Sequence, residues 1–314
     1  MSRTNDFQAV RDLAQEPDKP VALRVDPSIP VGEGRQIKAA EVVMRLAKDL
    51  NTDKIELPGF PDIVARIQHA LADEQTSTRD LVRLVGSEPA LAARLVQLAN
   101  SAAFNKSGRE VSDLKAAISS LGFNIVRSQA TAFAMRQMEQ KEWLRPIRPV
   151  LADIWKTSNG VAALSFAVAR QLPGVQADES MATGLFHLIG KLYLFARARQ
   201  ESINPGEIAD WEKALNEWHA TIARTILDHW SIPQRIAEAV ENQNAIFDAD
   251  SKDLTPLTRI LCAAKLHYRL RKPGAPPEPA AEEALAKIRL NGQPFEVLAA
   301  AAKADMEAAR AALA

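Results

Sequence analysis

The stretch GLFHLIGKL, Gly184 to Leu192, sets one metal-capable side chain, His187, in an apolar run bracketed by glycines. The residue after it, Leu188, has no lone pair to donate. A catalytic divalent-metal site needs several convergent nitrogen and oxygen donors, and a two-metal site usually needs a bridging carboxylate. His187 alone does not meet that need, so other parts of the chain must supply ligands if the protein is a metalloenzyme.

Working outward, the pattern is helical almost throughout. Downstream, Trp155 to Leu172, Glu179 to Arg199, Pro205 to Trp230, Pro233 to Phe247 and Leu254 to Leu270 read as packed helices. Upstream, LPGFPDIVARIQHAL places Pro61 in a tolerated first-turn position and sets Ile63, Ile67 and Leu71 four apart on one face. Ser77 or Thr78 caps the next helix, with Leu81, Leu84 and Val85 inward. Ser87-Glu88-Pro89 opens a third, carrying Leu91, Leu95 and Leu98. Ser112 is the expected cap of a fourth, which Gly122 closes.

Before these comes a different region. Residues 1–36 are polar and broken by Pro, Asp and Gly, and Val21, Leu23 and Val25 alternate, which suggests an extended arm. A helix is expected from Gln36 to Leu50. The Pro-rich EWLRPIRPV, Glu142 to Val150, reads as a seam between two helical halves, and RKPGAPPEPA, Arg271 to Ala280, as a linker before a final helix from Phe295 to Leu313. The expected division is 1–50 arm and helix, 51–145 first helical half, 146–270 second half, and 271–314 linker and C-terminal helix.

The chain has 314 residues, 47% hydrophobic and 25% charged, enough for a substantial core. Thirty-nine basic residues balance 39 acidic ones, so no global field draws nucleic acid or an anionic membrane. The single Cys262 excludes an intrachain disulfide framework and reads as a small buried hydrophobe. No apolar signal core or membrane-length run is present, which points to the cytoplasm. Ser158 and Ser165 lie on a helix without a nucleophile elbow, and VGEGRQIK lacks either nucleotide-binding spacing. Asp228 and His229 are adjacent and diverge on a helix.

The motif resembles the GLLHDIGKL signature of HD-type phosphohydrolases and their HDOD relatives, with Leu188 in the aspartate's place. LPGFPDIVARI, SEPALAARLVQLANSAAFN, DLKAAISSLGFNIVRSQA, WKTSNGVAALSFAVARQL and EWHATIARTILDHWSIPQRIAEAV extend the likeness to HDOD domains over about residues 55 to 270. The resemblance implies an all-α, multi-helix bundle of two packed helical subdomains. It also implies where active HD enzymes take their ligands. Thr157 stands where the first His aligns, and Lys265 where a distal Asp is expected. Glu241-Asn242-Gln243-Asn244 falls where related domains often carry a His pair, and His219 aligns with a histidine common in HDOD sequences.

An ammonium at a metal position repels a dication, and it can instead neutralise carboxylates or hold phosphate. Thr157, His187, Leu188, His219 and Lys265 are therefore read as a vestigial HD pocket with no metal, no cofactor and no catalytic residue. For both histidines the simplest structural role is a buried imidazole hydrogen-bonded to backbone or carboxylate. A second candidate is an interaction surface: Arg127, Arg136, Lys141, Arg145 and Arg148 outnumber Glu139 and Glu142 near the seam. The five tryptophans read as core and seam packing rather than stacking platforms.

The resemblance implies a noncatalytic bacterial signalling or regulatory module working through a protein partner, with a nucleotide second messenger such as cyclic-di-GMP as an expected input and no membrane or nucleic-acid partner. The arm and the final helix are too short for a receiver or GGDEF domain, so input is expected from another molecule. The competing reading is a divergent metal-dependent phosphohydrolase acting on a nucleotide or phosphodiester. It predicts stoichiometric metal and turnover that His187→Ala abolishes.

Overall fold

Several of the helices begin and end at cap and turn residues legible in the sequence. In the computed structural model, residues 39–51, 57–73, 75–247, 254–275 and 277–313 are described. The alternating Val21, Leu23 and Val25 lie outside them. Of the helix expected from Gln36, the described part is α1, Ala39–Leu46, and a 3-10 turn at Lys48–Asn51 follows it.

The upstream stripes are buried as their spacing predicts. In α2, Asp62–Ala72, the side chains of Ile63, Ile67 and Leu71 face the core, and Pro61 is the extended N-cap residue rather than part of the first turn. Ser77 starts α3, Thr78–Gly86, through a capping box in which its hydroxyl accepts from the Asp80 N–H at 3.2 Å. α4 is Pro89–Ala99. The next cap is Asp113, not Ser112: its Oδ1 accepts from the Ala116 N–H at 2.8 Å to open α5, Leu114–Leu121. Both residue types cap well, and the carboxylate adds a favourable charge at the helix N-terminus. Gly122, at φ +78°, ends α5 and turns the chain into α6, Phe123–Gln140.

The EWLRPIRPV stretch forms a 3-10 turn, Glu142–Ile147, and the next helix, α7, already starts at Arg148 and runs to Ala169. Pro149 sits in its first turn, where a missing N–H removes no helical bond. The helix expected from Glu179 to Arg199 is two: α8, Ala177–Phe186, and α9, Ile189–Gln200, broken at His187 and Leu188. Neither Pro nor Gly marks that break. Tertiary packing sets it, because α8 lies against α7 while α9 turns onto α10, Trp211–His229.

α11, Gln234–Glu241, leads through a 3-10 turn at Ala245–Phe247, and α12, Pro256–Leu270, starts at a Thr255 cap. The C-terminal region holds more structure than a linker and one helix. α13 occupies Pro279–Lys287, with Pro279 in its first turn, and β1, Arg289–Leu290, pairs antiparallel with β2, Gln293–Pro294. Asn291 and Gly292 join the strands, both at positive φ, as a two-residue hairpin of this kind requires. Ala302 then divides the expected final helix into α14, Phe295–Ala301, and α15, Lys303–Leu313.

Among the described residues the architecture is all-α apart from that hairpin. α7 and α8 are the central pair and are buried along most of their length. They approach closely because Gly184 faces the α7 backbone: a Cβ there would lie 2.4 Å from Ala162 Cα. Cys262 is buried, as are Trp211 and Trp230, whereas Trp143 is 38% exposed.

Candidate functional site

The α8–α9 break opens onto a cleft of about 1220 Å³ that gathers Thr157, His187, Leu188, His219 and Lys265 along its walls. Thr157 comes from α7, His187 and Leu188 from the break, His219 from α10 and Lys265 from α12. Close helix packing positions them. Gly190 in α9 meets the α10 backbone so tightly that a Cβ would lie 1.9 Å from the His219 carbonyl oxygen.

His187 is 1% exposed, and its Nδ1 lies 2.6 Å from the Gly184 carbonyl oxygen. That partner can only accept, so Nδ1 carries the proton. Burial, reinforced by the Lys265 charge, lowers its pKa to about 3 and keeps the ring neutral. His219 is also buried and is held well below its ordinary value, first by desolvation and then by the charges of Lys191 and Lys265. The ring bonds to the His187 backbone, as a buried imidazole is expected to, and its Nδ1 has no hydrogen-bond partner.

Lys265 is half-buried. Its ammonium donates to the Gln243 side-chain oxygen at 2.7 Å, the Gln243 carbonyl at 3.1 Å and Asn244 Oδ1 at 2.8 Å. Desolvation lowers its pKa to about 7. Gln243 is buried and also donates to the His187 carbonyl at 2.9 Å, which links the α11–α12 turn to the motif.

Lys191, which the sequence reading passed over, lines the same cleft and donates to Asn216 Oδ1 at 2.6 Å. Burial lowers its pKa as well, against the opposing charge of Glu212. Its place three residues after Leu188, on the motif's own helix, was the available signal. Trp211 also lines the cleft, and its buried indole N–H has no partner.

A divalent ion of the HD type does not fit this donor set. Leucine and lysine stand at two of the positions where the resemblance expects ligands, and Thr157 offers only a hydroxyl, so the His187 Nε2, its Nδ1–H held by backbone, has no carboxylate there to share an ion with. Among the described residues no three His, Cys, Asp or Glu side chains come together as a metal-binding group. Two ammonium groups in the cleft would repel a dication.

The second candidate divides. Arg127 is not on the surface: it is 3% exposed, and its guanidinium donates to the Leu71 carbonyl at 3.0 Å and the Ser231 carbonyl at 3.2 Å. Burial lowers its pKa to about 10. It lies on the inward face of α6, where it meets the carbonyl end of α2. Arg136, Lys141, Arg145 and Arg148 are exposed. Arg136 lies over the Trp155 ring, Arg145 pairs with Glu142 at 3.2 Å, and Arg148 donates to the Glu139 carbonyl at 2.6 Å.

The HDOD domain family model matches residues 57–246, more than half of the chain, and the chain belongs to that family. It is similar to an HDOD domain protein of Geobacter sulfurreducens, with 20% identity, TM-score 0.57, and coverage of 86% of this chain and 96% of that one. A protein of Shewanella amazonensis, provisionally described as a metal-dependent phosphohydrolase, matches at 21% identity and TM-score 0.66 over 88% and 99% of the two chains. These likenesses show the fold. An uncharacterised Treponema pallidum protein is 21% identical over 298 residues, 90% of this chain, and the chain spans about half, 54%, of its length. No helix among the described residues is long and apolar enough to cross a membrane.

Proposed function

We propose that this protein is a noncatalytic signalling or regulatory module of the HDOD family, acting through a protein partner and tuned by a nucleotide second messenger, cyclic-di-GMP among the candidates. The observation that carries the proposal is Lys265. Its ammonium stands in the HD-type cleft on the oxygens of Gln243 and Asn244, across from a leucine where a bridging carboxylate would be needed. Such a cleft keeps the shape of an enzyme site without the charge pattern of a two-metal hydrolase. The exposed Arg136, Lys141, Arg145 and Arg148 are proposed as part of the partner-facing surface, and the cytoplasm as the compartment.

The test is metal content after purification with added manganese, iron or zinc, beside a phosphodiesterase assay. The expected protein binds none stoichiometrically and turns over nothing. Stoichiometric metal together with turnover that His187→Ala abolishes would instead establish the phosphohydrolase reading.

A further inference from the structure

Two of the cleft's positive charges have only neutral hydrogen-bond partners. Among the described residues, Lys191 bonds to the Asn216 amide oxygen and Lys265 to the amide and carbonyl oxygens of Gln243 and Asn244. By contrast, the other cations lining the cleft are matched: Lys272 pairs with Asp153 at 2.9 Å and Arg269 with Glu278 at 2.8 Å. Two residues lining the cleft carry a further buried polar atom. Among the described residues, the Nε1 donor of Trp211 and the Nδ1 acceptor of His219 are buried and have no hydrogen-bond partner. Buried polar groups are rarely left unpaired, and an orphaned indole donor on a cleft residue beside two ammonium groups with neutral partners marks a place where a ligand supplies acceptors.

We infer that the cleft binds a phosphate-bearing small molecule without metal, with the Lys191 and Lys265 ammonium groups supplying the positive charge that HD relatives take from their ions. Trp211 donates through its indole N–H. The charge balance selects the ligand class. A phosphate monoester carries about −1.5 to −2 and, once bound, raises the lowered Lys265 pKa so that both amines are charged against it, whereas a single carboxylate supplies less charge for the pair. Lysine serves phosphate well as a point charge that needs no bidentate geometry.

The volume of about 1220 Å³ is far larger than a phosphate alone requires and leaves room for an organic group against Ile154, Leu188 and Tyr268. Glu212, on the rim, opposes the anion through its charge near Lys191. It is solvent-exposed, so water and salt weaken its field. The inference rests on the regulatory reading, since a metal in the cleft would compete for the same anion.

The experiment uses the full chain, with guanosine monophosphate and inorganic phosphate as probes and guanosine as the neutral control, followed by calorimetry and tryptophan fluorescence. Saturable binding of the monophosphate or phosphate, unaffected by a chelator and absent for guanosine, is expected. Lys265→Met and Lys191→Gln should each weaken it about tenfold or more, as expected for loss of a charged hydrogen bond. Lys272→Gln should leave it nearly unchanged. Circular dichroism melts establish that each variant folds, and if Lys265→Met does not, Lys191→Gln decides.

Failure of both phosphate probes to bind, or undiminished binding in a folded Lys191→Gln variant, would overturn the anion site and leave the regulatory reading in place. Binding abolished by the chelator would overturn both. Phosphodiester turnover with stoichiometric metal would overturn the regulatory reading, whereas chelator-insensitive phosphate binding would still support the site.

Discussion

His187 is buried at the helix break with a neutral ring held by backbone. Its depressed pKa means that the folded protein binds fewer protons than the unfolded chain between the ordinary value of 6.5 and about 3. Its contribution to stability is therefore complete above pH 6.5 and declines as pH falls through that window. His187→Asn, which retains a donor toward the Gly184 carbonyl, should lose stability relative to the parent at pH 7 and lose less at pH 4. Urea unfolding at the two pH values measures this, and an equal difference at both would contradict it. Lys265 has the same sign in another window: with its pKa lowered from 10.5 to about 7, stability rises as pH increases between those values.

Arg127 is the other decisive residue. It is a buried cation whose hydrogen bonds go to backbone carbonyls, one from α2 and one from the turn after α10. Arg127→Met keeps the aliphatic stem and leaves both carbonyls unpaired, so a loss of about 1–3 kcal/mol is expected in urea unfolding. An unchanged midpoint would show that relief of the buried charge offsets the lost bonds. Sequence reading placed this arginine on a basic surface because charge content alone does not reveal which side of α6 faces inward.

Among the helices, the two glycines of the motif act through contact distance. Gly190 lets α9 rest on α10, and Gly184 does the same for α8 on α7. Gly190→Ala would drive a methyl group into the His219 carbonyl, a backbone atom that cannot rotate away. A destabilisation of about 3 kcal/mol is expected, and the Lys191–Asn216 bond that crosses the same interface should weaken with it. Thermal melts measure the first effect, and stability within a few tenths of the parent would refute it. The hairpin at Asn291-Gly292 was legible, since Asn-Gly between short strands is a strong turn signal, but the surrounding proline and alanine content drew attention toward a linker and a helix.

Over the whole molecule, the C-terminal elements close the structure around α7. Arg94 of α4 donates to the Ala312 carbonyl at 2.6 Å, Gln171, just beyond α7, donates to Leu298 at 2.9 Å, and Arg170 pairs with Asp305 at 3.8 Å. Phe295 is fully buried and Leu298 and Leu313 nearly so. Ending the chain after Lys287 should lower the melting temperature by several degrees and raise binding of a hydrophobic dye as apolar surface on α7 is uncovered. A truncated protein that melts as the full chain does would show that these contacts add little.

The sequence by itself determined the all-α class, most helix caps and stripes, the family, and the presence of Leu188 and Lys265 where the resemblance leads one to expect carboxylates. These follow from local spacing, side-chain chemistry and ordered motifs, all of which are written along the chain. Only the tertiary structure decided that α8 and α9 part at His187, that Arg127 is buried, and that Lys191, Trp211 and His219 face one cleft. Those facts depend on which helix faces meet, and residues far apart in sequence become neighbours only when close packing at positions such as Gly184 and Gly190 brings their backbones together.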